Sequence, residues 1–144
     1  VCRNVDYGLA PQLAGRDCEV LRDFGVAASE QADFMPQPDV MVRCGPLAGD
    51  MRWASDPIVL FEVLSPSTAA RDRGRKRDRY FRMPTLRHLV LVSPTTARIE
   101  AWHRAQEGHW PDTPQLLSDR YGILELPAIG AALSVADIYR DLDL

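Results

Sequence analysis

Long apolar runs, metal-type cysteine patterns and glycine-rich loops are all missing from this sequence of 144 residues. No stretch approaches the ~20 apolar residues that a membrane-spanning helix needs, and no secretory signal pattern opens the chain. Cysteine is scarce: Cys2, Cys18 and Cys44 are odd in number and lack ligand spacing. That excludes a cysteine zinc centre and reads as reduced thiols in a cytoplasmic protein. His88, His103 and His109 fall in separate expected elements, again without ligand spacing. No phosphate-cradling glycine loop and no serine or cysteine nucleophile motif appears, so nucleotide hydrolases and covalent hydrolases have no support. Repeats and low-complexity tracts are absent too. What is left is one compact domain over 1–144, long enough to bury a core without disulfides.

Lysine is scarcer still. Lys76 is the one lysine in a chain with sixteen arginines. The net charge of −3 gives no global case for nucleic-acid binding, yet the distribution is uneven. Arg71 to Arg87 carries eight basic residues against Asp72 and Asp78, a local charge of +6. A basic segment in an acidic chain suits either a phosphate-facing surface or a solvated arginine-rich helix.

The organising stretch is Ile58 to Leu64. Apolar residues fill both alternating faces, which predicts a central strand with Ile58, Leu60, Glu62 and Leu64 on one side. Glu62 then stands on a buried face, where an unpaired carboxylate is costly. Around it the pattern predicts the end of a helix over Val5–Leu13 near Pro11, a strand over Cys18–Val26, a loop over Ser29–Gln37 and a strand over Asp39–Cys44. Gly45–Asp56 reads as a connection. Ser67 or Thr68 is placed to cap a helix over Ala69–Met83, stopped by Pro84. His88–Ser93 reads as a second doubly apolar strand, Arg98–Arg104 as its more exposed antiparallel partner, and Trp110–Leu117 as holding a short edge strand. A short apolar segment over Tyr121–Ile129 and a helix Val135–Leu142 capped by Ser134 close the chain. The whole is an α/β protein.

Asp39 and Glu62 stand on strands that can neighbour each other, and the backbone carbonyl of Val63 could add a third oxygen. Such an oxygen set suits a hard divalent cation, Mg²⁺ or Mn²⁺. The plainer alternative has Asp39 capping a turn and Glu62 pairing with an arginine. On the helix, Lys76 falls in the arc of Ala69, Tyr80 and Met83, away from Arg71, Arg75, Arg79 and Arg82. A compact ammonium there suits orienting a water or steadying a phosphate oxyanion.

Pro38-Asp39, then Leu60-Phe61-Glu62-Val63-Leu64-Ser65-Pro66-Ser67-Thr68, then Asp72, Lys76 and Tyr80 spaced by four, resemble the PD-(D/E)xK nuclease superfamily, in its bacterial Uma-type restriction-endonuclease branch. In that branch the lysine sits on the following helix, and Leu64 occupies the usual lysine position here. The resemblance runs over roughly Gln12 to Leu142. It implies a restriction-endonuclease-like core, a central mixed β-sheet flanked by helices, and Mg²⁺-assisted hydrolysis of DNA phosphodiester bonds. Asp39, Glu62 and Val63 would hold the metal, Asp39, Glu62 and Lys76 would be catalytic, Tyr80 would pack beside the lysine, and Arg73 and Arg77 would contact phosphate. It also implies an upstream strand pair and helix, part of which this sequence lacks. Two other readings stand beside it. One is an inactive nucleic-acid-binding module of the same fold; the other is a self-associating protein, a homodimer with Trp102 and Trp110 on its seam.

Overall fold

The computed structural model describes residues 1–27, 33, 35–46, 49–65 and 70–144. Helix α1 (Cys2–Leu13) opens the chain, with Pro11 in its last turn. The strands are β1 (Cys18–Arg22), β2 (Gly25–Val26), β3 (Val40–Cys44), β4 (Trp53–Ala54) and β5 (Val59–Val63). Helix α2 (Ala70–Phe81) leads into β6 (His88–Val92), β7 (Ile99–His103) and β8 (Gln115–Leu117). A hairpin of β9 (Ile123–Leu126) and β10 (Ala131–Ser134) turns through a 3₁₀ segment, Pro127–Ile129, and α3 (Val135–Ile138) follows.

Six strands form one mixed sheet in the order β1-β3-β5-β6-β7-β8. Within this sheet, among the described residues, β5 and β6 are the one parallel pair, and α2 makes the crossover that such a pair requires. These two strands hold the middle because both of their faces are apolar, and β6 is buried at every residue. The sheet therefore separates two cores. On one face Val40, Val42, Val59, Phe61, Val90 and Val92 meet α1, the hairpin and α3. On the other, Met41, Leu60, Leu89, Leu91 and Trp102 meet Tyr80 and the end of α2.

The C-terminal end of α2 is fastened firmly. The Phe81 ring stacks on Trp110 with centroids 4.2 Å apart and meets Trp102 edge-on at 5.5 Å. Trp110 Nε1 donates to the Phe81 carbonyl at 3.0 Å, and Arg104 donates to the Met83, Pro84 and Leu86 carbonyls just beyond the helix. Trp102, which is buried, and Trp110, which is half-buried, thus pack the end of α2.

Several expectations need correction. The strand over Cys18–Val26 is two strands, because Asp23 turns to φ 53° and sends Gly25–Val26 into a separate parallel pair with β4. There the Gly25 backbone passes so close to Arg52 that a Cβ would lie 3.0 Å from its carbonyl oxygen. The β4 strand inside the expected connection, and the β9–β10 hairpin, had no clear sequence signal. Ile58 packs on the α1 side of the sheet, not with Leu60. The last helix ends at Ile138, and Asp141 takes φ 62° beyond it; its Ser134 cap is as expected, accepting from Asp137 N at 3.0 Å. Cys18 and Cys44, paired across β1 and β3, form a disulfide, so only Cys2 is a free thiol. The expected caps Ser67 and Thr68, and much of the Ser29–Gln37 loop, lie outside the described residues. No helix among the described residues is long and apolar enough to cross a membrane.

Candidate active site

Antiparallel pairing of β3 with β5 sets Val40 opposite Phe61 and Met41 opposite Leu60. Carried one step further, the ladder places Asp39 beside Glu62, and residues opposed across strands share a face. That face is the one covered by α2. A bond at the strand end completes the arrangement: the Val63 amide donates to Asp39 Oδ2 at 2.7 Å.

Helix α2 supplies the rest. Lys76 and Tyr80 are four residues apart, one turn on the same face. Lys76 Nζ lies 3.1 Å from Glu62 Oε1, and Tyr80 Oη donates to the same oxygen at 2.5 Å. The lysine side chain keeps 42% of its exposure, whereas Tyr80 is fully enclosed among Leu60, Leu86 and Leu89. Glu62 itself is 9% exposed. Burial pushes its pKa up; the Tyr80 hydrogen bond and the Lys76 charge pull it back, and the nearby Asp39 carboxylate adds to the rise. Tyr80 is pushed far up by burial and by the Glu62 carboxylate, so its hydroxyl keeps its proton and acts as a donor.

The sequence expectation placed Asp39, Glu62, Val63 and Lys76 in one site, and the structure brings these residues together. Arg73 and Arg77 line the same cleft with Ser65 and Leu91. Arg77 packs against an aromatic ring, its guanidinium 4.9 Å from the Trp102 centroid and 3.5 Å from an Asp78 oxygen. Arg75, Arg79 and Arg82 are exposed on the other side of the helix. The hydroxyl bond of Tyr80 to Glu62 went beyond the packing role expected of it, although its four-residue spacing from Lys76 was the available signal. Cys2 was also unforeseen: burial first, then the Asp39 charge, raises its thiol pKa.

The cleft holds about 80 Å³. That is well below the several hundred cubic ångströms of an ordinary small-molecule pocket, and fits an ion with a few waters. Glu62 lines it, and Asp39, bonded to the Val63 amide beside it, adds a second carboxylate; such hard oxygen donors suit Mg²⁺ or Mn²⁺. Among the described residues no third histidine, cysteine or acid joins Asp39 and Glu62. A larger cavity of about 670 Å³ opens on the opposite face beside His88, His103, Gln115 and Glu125. There His88 Nε2 accepts from Ala128 N, and His103 Nε2 meets Gln115 Oε1 at 2.8 Å.

Comparison with known proteins gives three findings. The Uma2 family model, described as "Putative restriction endonuclease", matches residues 1–136. The uncharacterized protein slr1290 of Synechocystis sp. is 37% identical over 132 residues, covering 90% of this chain and 67% of that protein. A crystal structure from Anabaena variabilis, described as a "putative nuclease belonging to DUF820", superposes with a TM-score of 0.69 at 13% identity, covering 96% of this chain and 75% of that one. The last similarity speaks for the fold: a mixed sheet flanked by helices.

Proposed function

Since the chain belongs to the Uma2 family of restriction-endonuclease-like proteins, we propose that it is a metal-dependent endonuclease that hydrolyses phosphodiester bonds in DNA. The observation that carries this reading is the meeting of Lys76 Nζ and Glu62 Oε1 at 3.1 Å, with Asp39 tied to the very next amide. An acid pair and an amine, drawn from adjacent strands and the following helix, are what such a hydrolysis needs.

In this reading Asp39, Glu62 and the Val63 carbonyl hold Mg²⁺, with Mn²⁺ an acceptable substitute. When bound, the cation supplies charge neutralisation at the scissile phosphate and a water of lowered pKa. Lys76 orients that water or donates to the phosphate oxygen on which charge builds. Its partial exposure lets the ammonium swing between Glu62 and a substrate oxygen. Arg73 and Arg77 flank the cleft as phosphate contacts, and Arg77 enters already ordered by Trp102.

The test is plasmid DNA incubated with purified protein and Mg²⁺, with and without chelator. Nicking that needs the metal and disappears in Asp39→Ala and Glu62→Ala supports the proposal; metal-independent nicking sinks it. A second reading, a non-catalytic DNA-binding module, draws on the same ion pair, since Lys76 is already matched by Glu62. Salt-dependent DNA binding without any cleavage would favour it.

A further inference from the structure

The two oxygens of the Glu62 carboxylate are treated differently. Oε1 takes both donors, the Tyr80 hydroxyl at 2.5 Å and the Lys76 ammonium at 3.1 Å. No hydrogen bond reaches Oε2 among the described residues. Asp39 has the same asymmetry, with Oδ2 accepting the Val63 amide at 2.7 Å and, among the described residues, no hydrogen bond to Oδ1. Each acid is thus gripped by one oxygen and left open at the other.

The two donors on Oε1 differ in what they can fix. Lys76 has a long, flexible stem and stays 42% exposed, so its position is loosely set. The Tyr80 ring turns about only two torsions and is enclosed by Leu60, Leu86 and Leu89. Phe81, its neighbour in α2, is pinned by Trp102 and Trp110. The hydroxyl therefore has one place to be, and the carboxylate that bonds to it has one orientation.

We propose that Tyr80 is a positioning residue of the cation site: its hydroxyl holds Glu62 by Oε1 and thereby keeps Oε2, with Asp39 Oδ1, open to a hard divalent cation. This rests on the metal-dependent reading above. Partners that orient a ligand to a metal commonly contribute 10–100-fold in affinity, so the effect is measurable.

The experiment is a calorimetric titration of Mn²⁺ alone into the wild-type chain, Tyr80→Phe and Glu62→Gln, followed by the Mg²⁺ dependence of plasmid nicking. Tyr80→Phe is expected to weaken Mn²⁺ binding about tenfold and to raise the half-maximal Mg²⁺ concentration by a similar factor. Its turnover at saturating Mg²⁺ should stay within about threefold of wild type. A residue that only packs would lower the melting temperature and leave the Mn²⁺ affinity of the folded protein unchanged, and that result overturns the proposal. Tyr80→Met, a second variant without the hydroxyl, replaces Tyr80→Phe if the latter does not fold. Equal affinity in wild type and Tyr80→Phe, with none in Glu62→Gln, removes the positioning role and leaves the nuclease reading intact. No Mn²⁺ binding by wild type removes both.

Discussion

His88 and His103 face each other directly across β6 and β7, with their Nδ1 atoms 2.9 Å apart. The surrounding bonds assign the protons. Ala128 N donates to His88 Nε2, so neutral His88 carries its proton on Nδ1 and gives it to His103 Nδ1. His103 then donates from Nε2 to Gln115 Oε1. A proton added to His88 would have to point at the Ala128 N–H. Burial first, then His103 and Arg87, lower the His88 pKa from 6.5 to about 4. Between those values the unfolded chain binds a proton that the folded chain refuses. Stability is therefore complete above pH 6.5 and falls as the pH drops toward 4, by at most about 3 kcal/mol. Urea unfolding of wild type and His88→Gln across this window checks it: the variant should show the shallower slope.

Glu62 behaves in the opposite sense. Burial raises its pKa, so ionised Glu62 costs the folded protein stability as the pH rises through that raised value. Glu62→Gln is expected to raise the melting temperature at neutral pH by ~2–4 °C, the equivalent of about 1 kcal/mol in a domain of this size. The same variant should lower Mg²⁺-dependent nicking at least ~10²-fold. A stabilised but inactive protein is the usual mark of a functional group kept at a cost to the fold. Calorimetric melting beside the nicking assay gives both numbers, and a destabilised variant would mean that Glu62 is structural.

How much of this was legible in the sequence depended on whether the signal was local. Ile58–Leu64 and His88–Ser93 announced central strands because both faces were apolar, a property of the run itself. The helix over Lys76 and Tyr80 was equally visible from its spacing. The adjacency of Asp39 and Glu62 follows from which strands pair, so the sequence permitted it without requiring it. Pairing also hid the opposition of His88 to His103, and the Cys18–Cys44 bond across 26 residues, because cysteine spacing reports only local sites. Asp23 is a non-glycine residue in the left-handed region, and nothing in Cys18–Val26 signals that break. The β9–β10 hairpin turns through a 3₁₀ segment closed by Gly130 at φ 60°, an arrangement that a two-residue turn pattern does not reveal.

Arg43 is the principal buried charge away from the cleft, 3% exposed. Its guanidinium spans both oxygens of Asp56 at 2.9 and 3.0 Å and reaches the Gly45 and Pro46 carbonyls. These bonds tie the end of β3 to the segment entering β5, and so help fix the register on which Asp39 depends. The Arg43 hydrogen bonds hold the Asp56 carboxyl below its usual range. Arg43→Met should cost about 2–4 kcal/mol, discounted from a fully buried pair because Asp56 is half open to solvent. Arg43→Lys should recover little, since one ammonium cannot match the bidentate fork. Denaturant unfolding of the two variants decides it: a loss below 1 kcal/mol in Arg43→Met would show that the carbonyls and Asp56 are as well served by water.

Arg77 joins packing to the proposed substrate. Its guanidinium lies 4.9 Å from the Trp102 centroid and lines the cleft of Glu62 and Lys76, whereas exposed Arg75 on the same helix does not line it. An arginine already held against an aromatic ring loses less freedom on meeting a phosphate than one moving in solvent. Arg77→Gln should therefore weaken DNA binding several-fold and reduce the slope of log affinity against log salt by about one. Arg75→Gln should change both far less. Fluorescence anisotropy with a labelled duplex, in chelator so that nothing is cut and repeated over a range of salt, separates the two. Equal losses from both variants would indicate a diffuse attraction to the basic helix and no ordered contact at the cleft.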